Sequence, residues 1–85
     1  MRKINIFTGS VSNISINGHE TASATITANP PYEVILNYFF EASSPSVYVN
    51  SVKYNEAHSL TVKFYNNSDG NANITVGALI LRGLY

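Results

Sequence analysis

LTVKFYNNSDGNANITVGALIL, residues 60–81, decides the fold class. Leu60, Val62 and Phe64 alternate with Thr61, Lys63 and Tyr65. After the polar run Asn66-Asn67-Ser68-Asp69-Gly70-Asn71, the alternation resumes with Ile74, Val76, Ala78 and Ile80. A period of two puts alternate side chains on opposite faces, the pattern of a β-strand with one face buried. The Asp69-Gly70 pair between the two runs predicts a hairpin turn with positive backbone dihedrals. The second run carries apolar residues on its other face too, at Gly77, Leu79 and Leu81. A strand apolar on both faces needs a cover on both. In a short chain, one of those covers is predicted to be another copy.

Working outward, the same period recurs along the chain. Lys3–Phe7 reads as a first strand, broken by Thr8-Gly9-Ser10. Val11–Ile16 reads as a second, with Ile14 and Ile16 on one face. Asn17-Gly18 predicts a type I′ turn that pairs Val11–Ile16 with Glu20–Ala28 as a hairpin. In that partner, Ala22, Ala24, Ile26 and Ala28 alternate with Thr and Ser, a small-residue strand suited to an edge. Asn29-Pro30-Pro31 ends it, because proline donates nothing to a ladder. Tyr32–Phe40 is apolar on both sides and reads as a central strand, with Val34, Leu36, Tyr38 and Phe40 on one face. Pro45 marks a loop. Val47–Tyr54 follows, with Val47 and Val49 on one face and Tyr48, Val52 and Tyr54 on the other. Six or seven strands, turn signals at short intervals and no helical period predict an all-β fold. The expected architecture is an antiparallel β-sandwich, one domain over residues 1–85.

Composition narrows the function classes. Charged residues are 12% of the chain and the formal net charge is zero. A nucleic-acid binder carries a basic excess, and so does a protein held on an anionic membrane surface. Neither is expected, and no run reaches membrane-spanning length. Asn, Ser and Thr supply 27 residues, so solubility rests on neutral polar groups. There is no cysteine, which removes disulfides and thiolate metal sites. Met1-Arg2-Lys3 is not followed by the apolar core of a secretory signal. The sequons at Asn13, Asn66 and Asn73 therefore read as chance in an Asn-rich chain.

Catalytic and metal motifs are sparse. His19-Glu20 flanks the Asn17-Gly18 turn, and Glu56-Ala57-His58 precedes Leu60. A Glu–His pair can move protons or hold a metal, but that needs the two histidines to converge. Asp69 is the one acid of its loop, so the spacing of a calcium loop is missing. No phosphate loop and no paired carboxylates are present, so no enzymatic activity, metal or cofactor is expected. Recognition remains. Six tyrosines offer flat apolar rings with a polar tip. Tyr48 and Tyr54, with His19, His58, Asn66 and Asp69, form the candidate ligand-binding set. Leu79, Leu81, Leu84 and Tyr85, with Tyr65 opposite, form the candidate oligomer interface.

Ser59–Leu81 resembles the end of bacteriophage tail-fibre and baseplate domains, and also of H-type lectin domains. Both finish on a strand, a polar loop of N-x-S type and an apolar last strand. The resemblance implies a small trimeric sandwich. It also implies a virion structural protein, placed in a tail, baseplate or capsid-associated position. Such a protein is made in the cytoplasm of a host bacterium and works beside other virion proteins in host attachment. The lectin side of the resemblance implies a carbohydrate-binding module for cell-surface glycans such as N-acetylgalactosamine.

Overall fold

The computed structural model describes residues 3–29, 31–56 and 58–84; the side chains of Lys3, Ser10 and Leu84 lie outside that description. Six strands follow one another: β1 (Lys3–Ile16), β2 (Thr21–Thr27), β3 (Glu33–Ala42), β4 (Val47–Glu56), β5 (Ser59–Asn66) and β6 (Ala72–Leu84). They form two three-stranded antiparallel sheets, ordered β1-β6-β3 and β2-β5-β4. The chain is an all-β sandwich, as its periodicity predicts, and the described residues contain no helix.

The two central strands are those of the opening stretch. Leu60, Val62 and Phe64 of β5 face Ile74, Val76, Ala78 and Ile80 of β6, and all are buried. Ile16, Ala24, Ile26, Ile35 and Val47 complete that core. Phe40 meets Phe64 edge to face, ring centroids 5.1 Å apart. Each fully buried Leu, Ile, Val or Phe stabilises the fold by about 1.5–3 kcal/mol.

Pairing differs from the expected hairpins. β5 and β6 lie in different sheets, so residues 67–71 arch from one layer to the other. Among the described residues the positive φ falls at His19, at 58°, and not at Asp69 or Gly70. β1 and β2 are likewise split between sheets, so Asn17-Gly18 closes an arch too. There Glu20 N–H donates to the Asn17 carbonyl at 3.2 Å. With negative φ at Gly18 and positive φ at His19, the turn has the sign pattern of type II, not I′. The physical reason is common to both. An apolar stripe is buried equally well by a partner beside it in one sheet or across from it in the other, and the periodicity alone does not choose.

Bulges account for the remaining differences. Lys3–Phe7 and Val11–Ile16 are one strand, in which Ser10 and Val11 together stand opposite Gly77 of β6. The extra residue shifts the alternation, so Phe7 and Ile14 both point inward although an odd number of positions separates them. In β3, Leu36 has no partner between the Ile35↔Ile80 and Asn37↔Leu79 pairs. Ile35, Tyr38 and Phe40 therefore share the inner face, while Val34, Asn37 and Phe39 look out. β3 is an edge strand, not a central one. In β4 two residues are unpaired: Asn50, which brings Val52 and Tyr54 to the side of Val47 and Val49 and leaves Tyr48 on the other, and Asn55, after which Glu56 pairs with Ser59 on the outer face.

Candidate functional site

One end of the sandwich gathers three arches. Asn66 closes β5 with its side chain fully buried. Its amide group donates to the carbonyls of Ile16, Asn17 and Gly70 at 3.2, 3.3 and 2.8 Å. Its Oδ1 accepts from Ser68 Oγ at 2.6 Å. A buried polar group is stable only when its hydrogen bonds are made. Asn66 meets that condition by tying the 17–20 turn to the 67–71 arch. Gly18 lies so close to this arch that a Cβ there would fall 2.5 Å from the Asp69 carbonyl oxygen. On top, His19 Nε2 donates to Asp69 Oδ1 at 2.7 Å. The Asp69 side chain is otherwise in solvent.

This end continues onto the outer face of the β2-β5-β4 sheet. Thr21, Tyr65 and Tyr48 form one cross-strand row. The Tyr48 and Tyr65 rings are 5.6 Å apart and tilted by 56°. His19 N–H donates to the Asn66 carbonyl and Asn67 N–H to the Ser46 carbonyl, at 2.8 and 3.1 Å. These bonds carry the ladder one step past the strands, setting His19, Asn67 and Ser46 beyond Thr21, Tyr65 and Tyr48. Farther down, the face is hydroxyl-lined. Thr25 and Thr61 share a hydrogen bond at 3.1 Å, and Asn55 Nδ2 donates to Thr61 Oγ1 at 3.0 Å. Lys53, Lys63 and Glu56 also stand on this face, by their register with Thr61, Ser51 and Ser59.

The six candidate ligand residues therefore divide. His19, Asn66, Asp69 and Tyr48 come together at one end. His58 is at the other, where Nδ1–H donates to the Glu33 carbonyl. Tyr54 pairs with Leu60 near that second end. Glu33 is buried there, accepting from Asn29 N–H at 3.0 Å and standing 3.9 Å from Arg82. The two histidines do not converge. Among the described residues, no three His, Asp or Glu side chains cluster as a metal site would require.

The outer face of the β1-β6-β3 sheet is of the opposite character. Leu81 is flanked by Ile6 and Val34, Leu79 by Thr8 and Asn37, and Gly77 by Phe39. The Phe39 ring lies over Gly77, where an added Cβ would come within 2.5 Å of its Cζ. Leu79 and Leu81 are half-buried, while Ile6 keeps 57% of its surface exposed. Ile4, Val11 and Leu36 are exposed beside them. Among the described side chains, Glu41, at the margin opposite Thr75, is the one acidic or basic group on this face. Of the candidate interface residues, Leu79 and Leu81 lie here, whereas Tyr65 lies on the other sheet's outer face. The Leu84 side chain and Tyr85 fall outside the described residues. Ile4, Ile6, Val34 and Phe39 were hidden from sequence reading by the bulges that move them to the outer side. The Ile4–Ile6 spacing was the one available signal.

The long sides of the sandwich also differ. Ala22, Ala24 and Ala28 let β2 approach β1 closely, and that side is shut. Across the molecule Tyr38 and Phe40 of β3 and Val52 and Tyr54 of β4 point between the layers. Phe40, Val52 and Tyr54 nevertheless remain exposed, so this side stands open. Compared with family models, with curated proteins and with solved structures, the chain finds no match, and its own geometry carries the functional reading.

Proposed function

We propose that the protein is a non-enzymatic structural module that assembles with copies of itself through the outer face of the β1-β6-β3 sheet. The observation that carries this reading is the segregation of charge. Lys53, Lys63 and Glu56 stand on one outer face, while the other has Glu41 at its margin and Ile6, Leu79, Leu81, Val34 and Phe39 across its middle. Large contiguous apolar patches on a surface mark interaction sites. With Glu41 at the margin, the middle of the face also sets no like charges against each other when two copies meet. The role that fits is a phage tail, baseplate or capsid-associated component, with a trimer as the expected state. This placement rests on the resemblance of Ser59–Leu81 to such domains.

Sedimentation tests the reading, with Ile6→Asp as the variant, because Ile6 is too exposed to be needed for folding. The wild type is expected to associate at micromolar concentration. Ile6→Asp is expected to sediment as a monomer with an unchanged far-ultraviolet circular dichroism spectrum. A wild type that stays monomeric at high micromolar concentration ends the proposal.

A further inference from the structure

We infer that the open side of the sandwich is a joint between two copies of the chain, which meet edge to edge along β3 and β4 and merge into one continuous sandwich. On this side both sheets end, β1-β6-β3 at β3 and β2-β5-β4 at β4. Tyr38, Phe40, Val52 and Tyr54 point between the layers there, and Phe40, Val52 and Tyr54 keep 37%, 39% and 48% of their surface in water. Edge strands also leave a row of backbone N–H and C=O groups unpaired. Tyr38 N–H takes the Asn37 side chain as its acceptor at 2.8 Å, where a neighbouring strand would offer a carbonyl. A single added strand completes one sheet and leaves the other edge bare. Covering both takes a body with two strand edges at the same layer spacing, and a second copy is such a body.

The residues on the two edges suit a two-fold axis. β3 ends and β4 begins at the same end of the molecule, joined by residues 43–46. Phe40 packs on Phe64, and Phe64 pairs with Val49, so Phe40 and Val49 stand at one level. The next inward residues along the strands are Tyr38 and Val52. A two-fold axis normal to the layers, through Phe39 and between Asn50 and Ser51, reverses both strands and pairs each antiparallel with its own copy. Tyr38 then meets Phe40, Val49 meets Val52 and Val47 meets Tyr54, all between the layers. On the outer faces Asn37 meets Glu41 and Lys53 meets Tyr48. Inner residues meet inner ones, and no like charges are opposed. The unpaired Asn50 makes β4 symmetric in this way, since without it Val49 and Val52 would lie on opposite faces. The side chains left open here cover about 400–600 Å² between two copies, less than the roughly 1,200 Å² of a stable interface. One joint is therefore weak alone and gains when several act together. Its role in linking one assembly to the next rests on the outer-face reading above, whereas the joint itself does not need that face.

The test is an amide NMR dilution series, from millimolar to micromolar, of the isotope-labelled full chain carrying Ile6→Asp, which takes the outer face out of play. Val52→Lys is added as the blocking variant, because its amine reaches water through the open side of a single copy and is trapped when a second copy closes it. Val11→Lys, on the outer face of the other sheet, is the control. The expected result is saturable, concentration-dependent shifts over residues 37–42 and 48–54. Mixed labelled and unlabelled chains should show cross-copy contacts of Tyr38 with Phe40 and of Val49 with Val52. Association should weaken about tenfold or more with Val52→Lys and stay unchanged with Val11→Lys. No concentration-dependent shift on β3 and β4 overturns the inference, as do shifts that survive Val52→Lys or cross-copy contacts that join β3 to β4. If Val52→Lys loses its dispersed amide spectrum, the cross-copy contacts decide alone. A wild type that sediments as a monomer ends the outer-face reading and leaves this series to decide the joint.

Discussion

At the scale of single residues, Asn66 carries more than its own place in β5. Its two N–H groups reach three carbonyl oxygens in two separate arches. Asn66→Ala removes those donors from the Ile16 and Asn17 carbonyls and leaves the Gly70 carbonyl with the Ser68 hydroxyl, at 3.0 Å. The expected loss in a urea titration is about 2–3 kcal/mol. Asn66→Asp should cost more, because it aims a carboxylate at the same carbonyls. Two glycines offer a contrasting pair. At Gly18 an added methyl meets the backbone of Asp69, which is tied down by the neighbouring bonds. Gly18→Ala is expected to cost about 1–3 kcal/mol, the range for overpacking. At Gly77 the obstacle is the tip of the Phe39 ring, which is partly in solvent and can swing aside. Gly77→Ala should therefore cost less than Gly18→Ala in the same titration. If the two costs came out equal, neighbour mobility would not be what separates them.

At the scale of elements, the bulges decide what each strand shows to each side. Ser10 and Val11 opposite Gly77 place Phe7 in the core and Ile6 outside. Deleting Val11 leaves Ser10 alone opposite Gly77 and makes the ladder regular, with Gly9↔Ala78 and Phe7↔Ile80 still paired and Phe7 still inward. The deletion should therefore cost less than the about 1.5–3 kcal/mol of exposing Phe7, measured by chemical denaturation. The same bulges explain how much was legible in the sequence. β2, β5 and β6 read correctly face by face, because their alternation runs without interruption from Ala22 to Ala28, Leu60 to Asn66 and Ala72 to Ile80. β1, β3 and β4 were legible as strands but not as faces, since one inserted residue leaves no mark in composition. Partner choice was not legible either, and Leu60–Leu81 reads equally as a hairpin or as an arch. In the candidate site, the nearness of His19 to Asp69 was invisible for the same reason. They lie in different connections, and the sheet order joins them. Tyr48 and Tyr65 were each visible as aromatic strand residues, but their meeting depends on the β4–β5 register.

At the scale of the whole molecule, the sandwich is long and thin, with Cα extents of 54 × 20 × 13 Å. So flat a body has little interior for its surface, and covering one broad face adds a large share of new burial. An interface made from Ile6, Val34, Phe39, Leu79 and Leu81 has no charge pair at its centre. Its strength should therefore survive high sodium chloride, whereas a charge-steered interface would weaken. Ammonium sulfate should tighten it, because excluded salts favour apolar burial. Sedimentation across the two salts checks both expectations, and dissociation by sodium chloride alone would contradict an apolar contact.

The position of β6 also sets a timetable. β6 is the middle strand of its sheet, and its partners β1 and β3 precede it in the chain. During synthesis both leave the ribosome before the strand that joins them exists. The β2-β5-β4 sheet completes first, with its apolar side uncovered until β6 arrives. For that interval the nascent chain exposes Leu60, Val62 and Phe64, which are fully buried at the end. A chain stopped at Asn71 would keep them exposed permanently. It should aggregate or bind a holdase chaperone, while the chain that continues through β6 stays soluble.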